Sequence, residues 1–180
     1  KMMHFNLHAA DAALVSHPDV RDGLKSREQA DVLVQKYFQS LGQIYGGTSV
    51  DSFMDSYESL WRNENQPCEF AVGLGLIFAI GNAFLANEDP NKLPFSAVAK
   101  WIGLAKVWRN SALEVTKYGL SHLQVDILLQ LSKRLHSYGQ PTESVDCAML
   151  VRNAVAMRLH KENLHVSILT EERLLRRRLW

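Results

Sequence analysis

The chain has 180 residues, 47% of them hydrophobic, and its 20 basic and 19 acidic residues leave a formal net charge of +1. A chain of this length buries roughly two thirds of the surface its unfolded form exposes, enough for one core and one domain. Both signs of charge are scattered along it, without the basic stripe that marks a nucleic-acid-binding surface.

Residues 1–25 read as a loop-rich N-terminal segment, with His4, His8 and His17 placed without period, no signal-peptide pattern, and one short helix over 18–24. Ser26 and Gln29 form a capping box that opens a first helix carrying Val32, Leu33, Tyr37, Phe38, Leu41 and Tyr45 at helical spacing, ended by Gly46 and Gly47. Ser49 caps a second helix with Phe53, Met54, Tyr57, Leu60 and Trp61 in one stripe and Asp51, Asp55, Ser56 and Glu58 on the solvated side. Pro67 suits the first turn of a third helix, which runs to Ala86 and is apolar all round, so it belongs in the middle of the structure. Asn82 interrupts it and no positive flank orients it, so it reads as a buried helix and not a membrane span. Gly73, Gly75 and Gly81 let neighbours approach closely, each at a cost of about 1 kcal/mol in helix propensity.

Residues 87–94 compose a surface loop. The fourth helix opens at Ser96, buries Val98, Trp101, Ile102, Ala105, Val107 and Trp108, reaches Tyr118 and stops at Gly119. Ser121 caps a fifth, ending at Leu135. Thr142 caps a sixth, with Val145, Cys147, Ala148, Leu150, Val151, Ala154, Val155, Met157 and Leu159 as its apolar positions. It ends near His160, which with Lys161 suits the negative end of the helix. Thr170 caps a seventh, where Arg173, Arg176 and Arg177 line one side and Glu171 and Glu172 offset their charge. Only residues 166–169 look β-like, too few for a sheet. The expected fold is all-α: about seven antiparallel helices packed in pairs over residues 26–180, the N-terminal portion of a larger helical domain.

Chemistry-bearing patterns are missing. There is no H-E-x-x-H, C-x-x-C, G-x-S-x-G or phosphate loop, and the glycines at 73, 75 and 81 follow no strand. Cys68 and Cys147 read as reduced core thiols. Asp51, Asp55 and Glu58 form a solvated acidic patch, and His160 with His165 lacks a third metal ligand. No catalytic, cofactor-binding or metal residue is assigned, and the expectation is a protein that is not an enzyme. Trp101 and Trp108 stand seven apart on one face, which is core spacing. Together with Phe78 they are also the candidate lining of an apolar pocket for a small-molecule effector.

Ordered segments add a resemblance that runs from residue 30 to 180. Residues 33–45 (LVQKYFQSLGQIY) and 52–61 (SFMDSYESLW) are followed by the small-residue helix around 76–81 (LIFAIG). Then come 125–141 (VDILLQLSKRLHSYGQP), 148–161 (AMLVRNAVAMRLHK) and 171–180 (EERLLRRRLW). In this order they resemble the regulatory, or middle homology, domain of fungal zinc-cluster (Zn2Cys6) transcription factors. Arg158 departs from the pattern, standing where the family usually has a glycine, as do Cys147 and Ala148 near a position often held by tryptophan.

The resemblance implies a nuclear, helical regulatory domain that controls transcription, self-associates or contacts protein partners, and does not touch a membrane. DNA would be reached through another part of the parent protein. Zinc is expected only in that separate module, because a six-cysteine cluster cannot be built from two cysteines. It also implies that Arg176, Arg177 and Arg178 close the helical array by pairing with acidic side chains, while Leu179 and Trp180 enter the core of the remainder of the domain. Two other readings of the residues stand beside it: a non-catalytic scaffold or adaptor of the same fold, and an α-helical enzyme for an apolar substrate, which would need clustered aspartates absent here.

Overall fold

Every residue from Ala71 to Asn82 is buried, so one helix is surrounded by the others. The computed structural model describes residues 20–42, 50–62, 64, 66–115, 118–137, 143–161 and 170–179. Among them lie seven α-helices and no strand: α1 (Arg27–Tyr37), α2 (Val50–Trp61), α3 (Cys68–Ala83), α4 (Phe95–Val115), α5 (Leu120–Leu135), α6 (Glu143–Ala156) and α7 (Thr170–Leu179). The all-α expectation is therefore correct. The pairing is less sequential than expected, because α3 packs on α1, α4 and α5, and α5 then carries α6 and α7.

Small residues decide how closely α3 is approached. Each full burial of a leucine or isoleucine contributes roughly 1.5–3 kcal/mol, and Leu74, Leu76, Phe78 and Ile80 are at most 1% exposed on successive sides of α3. Gly75 faces the Trp101 ring, 3.2 Å from where a β-carbon would stand. That ring is closed from the other side by Gly23, and its indole Nε1 donates to the Val20 carbonyl at 3.2 Å. Val20 and Leu24 thus belong to the main core although they precede the first long helix.

Helix ends depart from the sequence expectation for local polar reasons. Ser26 Oγ accepts from Gln29 N at 3.3 Å, as a capping box requires, but Gln29 Oε1 reaches back to Lys25 N at 2.8 Å. Gln29 Nε2 donates to the Asn91 carbonyl at 2.9 Å, tying the start of α1 to the α3–α4 loop. After Tyr37 the helix widens into a π-helical turn, Phe38–Gly42, where Ser40 Oγ bonds the Lys36 carbonyl at 2.7 Å and competes with the backbone ladder. The expected stop at Gly46 and Gly47 lies outside the described residues.

Pro67 is the N-cap of α3, one place before its first turn, and α3 ends at Ala83 instead of Ala86. The Asn82 side chain ends it. Its Oδ1 accepts from Leu93 N at 2.7 Å and its Nδ2 donates to the Leu93 carbonyl at 3.3 Å, while Lys92 Nζ caps the carbonyls of Asn82 and Leu85. Gly119, expected to stop α4, is the N-cap of α5, and its N–H donates to His122 Nδ1 at 3.2 Å. That leaves Ser121, the expected cap, inside the helix.

The end of α6 is a Schellman turn. Leu159 N donates to the Ala154 carbonyl at 3.1 Å and Arg158 N to the Val155 carbonyl at 2.9 Å, with Arg158 in the left-handed region at φ 55°. Leu159 and Ala154 then meet in a second, smaller core with Leu123, and Leu150, Met157 and Leu179 pack against it. Val151 and Val155, two of the apolar positions of α6, are exposed. His160 is exposed, four residues beyond the last residue of α6. Among the described residues no helix is long and apolar enough to cross a membrane.

Candidate functional site

A groove opens where α2, α3 and α5 meet, with a volume near 260 Å³. Its floor is apolar: Phe53 from α2, Phe70, Leu74 and Ile77 from α3, and Val125 and Leu128 from α5. Aromatic packing fixes the α2 wall, since Phe53 lies 5.1 Å from Phe38, 6.1 Å from Tyr57 and 5.7 Å from Phe70 between ring centroids. Gly73 leaves the space open. A β-carbon there would have only Leu128 as a close neighbour, at 3.9 Å. Ser56, Gln66, Ser121 and Gln124 supply polar groups to the lining, and Glu69, in the first turn of α3, is its one charged residue.

Gly73 and Gly75 are two residues apart, about 200° around a helix, so they look to opposite sides of α3. The groove is on one side and Trp101 on the other. Phe78 is fully buried and its ring lies 5.4 Å from that of Trp101, which is 2% exposed. Trp108 stacks on His122 at 5.1 Å. Phe78, Trp101 and Trp108, the residues expected to line a pocket, thus pack within the helical array, and none of them lines this groove.

Behind the groove α4 and α5 share a buried charge. Asp126, 4% exposed, holds Arg109 Nε at 3.0 Å and accepts the Tyr118 hydroxyl at 2.7 Å. Burial, and then the hydrogen bond to Asp126, push the Tyr118 phenol well above its ordinary range. On the α1–α2 side Tyr57 donates to Asp31 at 2.7 Å, and Arg27 pairs with Glu58 and lies 5.9 Å over the Trp61 ring. Glu58 is therefore half of an ion pair and not simply part of a solvated acidic patch. Cys68 and Cys147 are half-buried and form no disulfide, and burial raises the Cys68 thiol.

The arginines of α7 meet the end of α6. Arg176 Nη2 donates to the Met157 carbonyl at 2.8 Å and lies 3.5 Å from that of Arg158, which also accepts from Lys161 N at 3.1 Å. Backbone carbonyls, in addition to any acidic side chain, thus receive this guanidinium. Arg177 is exposed, and the side chain of Arg178 and all of Trp180 lie outside the described residues. Leu179 packs within this chain, on the Leu123, Ala154 and Leu159 cluster. Sequence spacing missed the Arg176 contact because a positive φ at Arg158 is not legible from the arginine itself. The only hint was that arginine stands where a glycine is usual.

Among the described residues no group of three or more His, Cys, Asp or Glu side chains could hold a metal ion. No family model and no solved structure matches the chain. Over 162 residues it is 27% identical to "Transcription factor asR3" of Sarocladium schorii, covering 86% of this chain and 19% of that protein. Over 162 residues it is 25% identical to "Transcription factor lepE" of Aspergillus flavus, covering 87% of this chain and 19% of that protein. The chain thus spans about a fifth of the length of these relatives. Over those 162 residues it is similar to a part of two fungal transcription factors.

Proposed function

We propose that this chain is the helical regulatory domain of a nuclear zinc-cluster transcription factor, acting through helix packing and protein contacts. The observation that carries the reading is the 162-residue likeness to two transcription factors, which takes in nearly the whole chain. The lack of a metal-binding cluster among the described residues is consistent with a role that is not enzymatic. Zinc and DNA contacts belong to a separate module of the parent protein. Within the chain, Arg176 holds the last helix against the end of α6.

A small apolar effector fits the α2–α3–α5 groove better than the Phe78, Trp101 and Trp108 row. Trp101, with the Phe78 ring against it, lies on the far side of α3, where it would sense a shift of that helix. A ligand changes the state of the domain only through its different affinity for the two positions of α3.

The test is a reporter in which the 180 residues are placed between a heterologous DNA-binding module and an activation segment. The domain should change reporter output relative to a flexible linker of equal length, and Arg176→Ala or Arg177→Glu should shift that output. Output equal to that of the linker would overturn the regulatory reading in favour of a scaffold.

A further inference from the structure

The outward side of α6 is apolar where a solvated helix is ordinarily charged. Met149, Val151 and Val155 are 38%, 59% and 43% exposed, and Ala148, Arg152 and Ala156 stand exposed beside them. Residues 148, 151, 152 and 155 follow the helical repeat, so they form one stripe. The opposite side of α6 is already occupied, with Ala154 buried and Leu150 and Met157 packed against Leu123 and Leu159. This helix therefore carries two apolar faces, and only one of them serves the core.

Charge indicates what covers the second face. From Cys147 to Lys161 the sequence holds no acidic residue, while Arg152 lies within the stripe and Arg158, His160 and Lys161 follow its C-terminal end. Arg134 borders the other end, its Nη2 3.2 Å from Cys147 Sγ. A second copy meeting this face about a two-fold axis would bring like charges together around Arg152. An apolar stripe flanked by carboxylates would gain both burial and attraction.

We propose that the outward face of α6 docks an acidic amphipathic helix of a partner protein. The apolar side chains of that helix lie on Ala148, Val151 and Val155, and its carboxylates reach Arg152 and the cations Arg158 and Lys161. The inference rests on the exposure and charge of α6 and does not depend on the transcriptional reading.

The probe is a fluorescein-labelled peptide of roughly five helical turns, with leucines at helical spacing and glutamates on both flanks. Fluorescence anisotropy against the 180-residue chain should show saturable binding that weakens with salt. A paired Val151→Ser, Val155→Ser variant should lose affinity on the order of tenfold while keeping its melting temperature. Arg152→Glu should weaken the acidic peptide and favour one with lysines in place of the glutamates. The proposal is overturned if a scrambled peptide binds equally, if no saturable binding occurs, or if sedimentation shows a dimer that the serine pair dissociates.

Discussion

Gly81 and the Leu33 backbone are in direct contact: a β-carbon at position 81 would stand 2.0 Å from the Leu33 carbonyl oxygen. The obstacle is backbone, which cannot rotate away as a side chain can. Gly81→Ala should therefore force α1 off α3 and destabilise the protein by about 3 kcal/mol, read from its urea midpoint. Gly73→Ala is the control on the same helix, where the nearest neighbour would be an ordinary 3.9 Å away. It should leave stability unchanged or raise it by roughly 0.5–1 kcal/mol. A gain at position 81 as large as that at position 73 would show that helix propensity, and not the approach of α1, decides the outcome there.

Arg158 holds a φ of 55° at the left-handed position of the α6 Schellman turn. A side chain there costs about 1 kcal/mol relative to glycine. Arg158→Gly should raise the melting temperature, because the arginine is exposed and the carbonyls capped by Arg176 are backbone atoms that the substitution keeps. Arg158→Ala removes the same side chain and keeps the strain, so it should give no gain. A gain from alanine as large as from glycine would locate the effect in the charge.

The seven helices were legible because burial repeats along them. Leu33 and Tyr37, Phe53 and Tyr57, and Trp101, Ile102 and Ala105 are all buried at the spacing a helix imposes. α3 was legible as central because an uninterrupted apolar run has no solvated side. Periodicity misplaces single positions, since Val107, expected on the buried side of α4, is exposed, and it leaves α6 open, where Val151 and Val155 face outward; hydrophobic spacing does not say which of two apolar faces a core uses. Helix ends failed for another reason. They depend on single polar bonds, such as Asn82 to Leu93 or Gly119 to His122, whose partners are set by tertiary approach. The groove could not be read at all, because it is the space that Gly73 leaves between three helices.

Asp126 and Arg109 join α4 to α5 beneath the surface, with side chains 5% and 16% exposed. Removing one member of such a pair leaves the other desolvated. Asp126→Leu should cost about 3–5 kcal/mol, and the Arg109→Met, Asp126→Leu double variant should recover most of that loss. A double-mutant cycle in urea measures the coupling. Additive losses would mean that the pair is not coupled, and that Asp126 matters chiefly through its bond to Tyr118.

Alkaline pH should weaken the fold through its buried tyrosines. Burial pushes the Tyr37 phenol up to about 12, and Tyr57 and Tyr118 are raised further by burial together with their bonds to Asp31 and Asp126. A phenol whose folded pKa lies above its unfolded value near 10 contributes stability that is complete below about pH 10. As pH rises beyond that, the unfolded chain releases protons that the native state still holds. Stability should fall by roughly 1.4 kcal/mol per pH unit for Tyr37 alone until its own pKa is passed. Urea midpoints taken across this range should drop steeply for the parent chain and less steeply for Tyr37→Phe, with no difference between the two in slope below about pH 9. Identical alkaline slopes would show that Tyr37 ionises as easily folded as unfolded, against its 2% exposure.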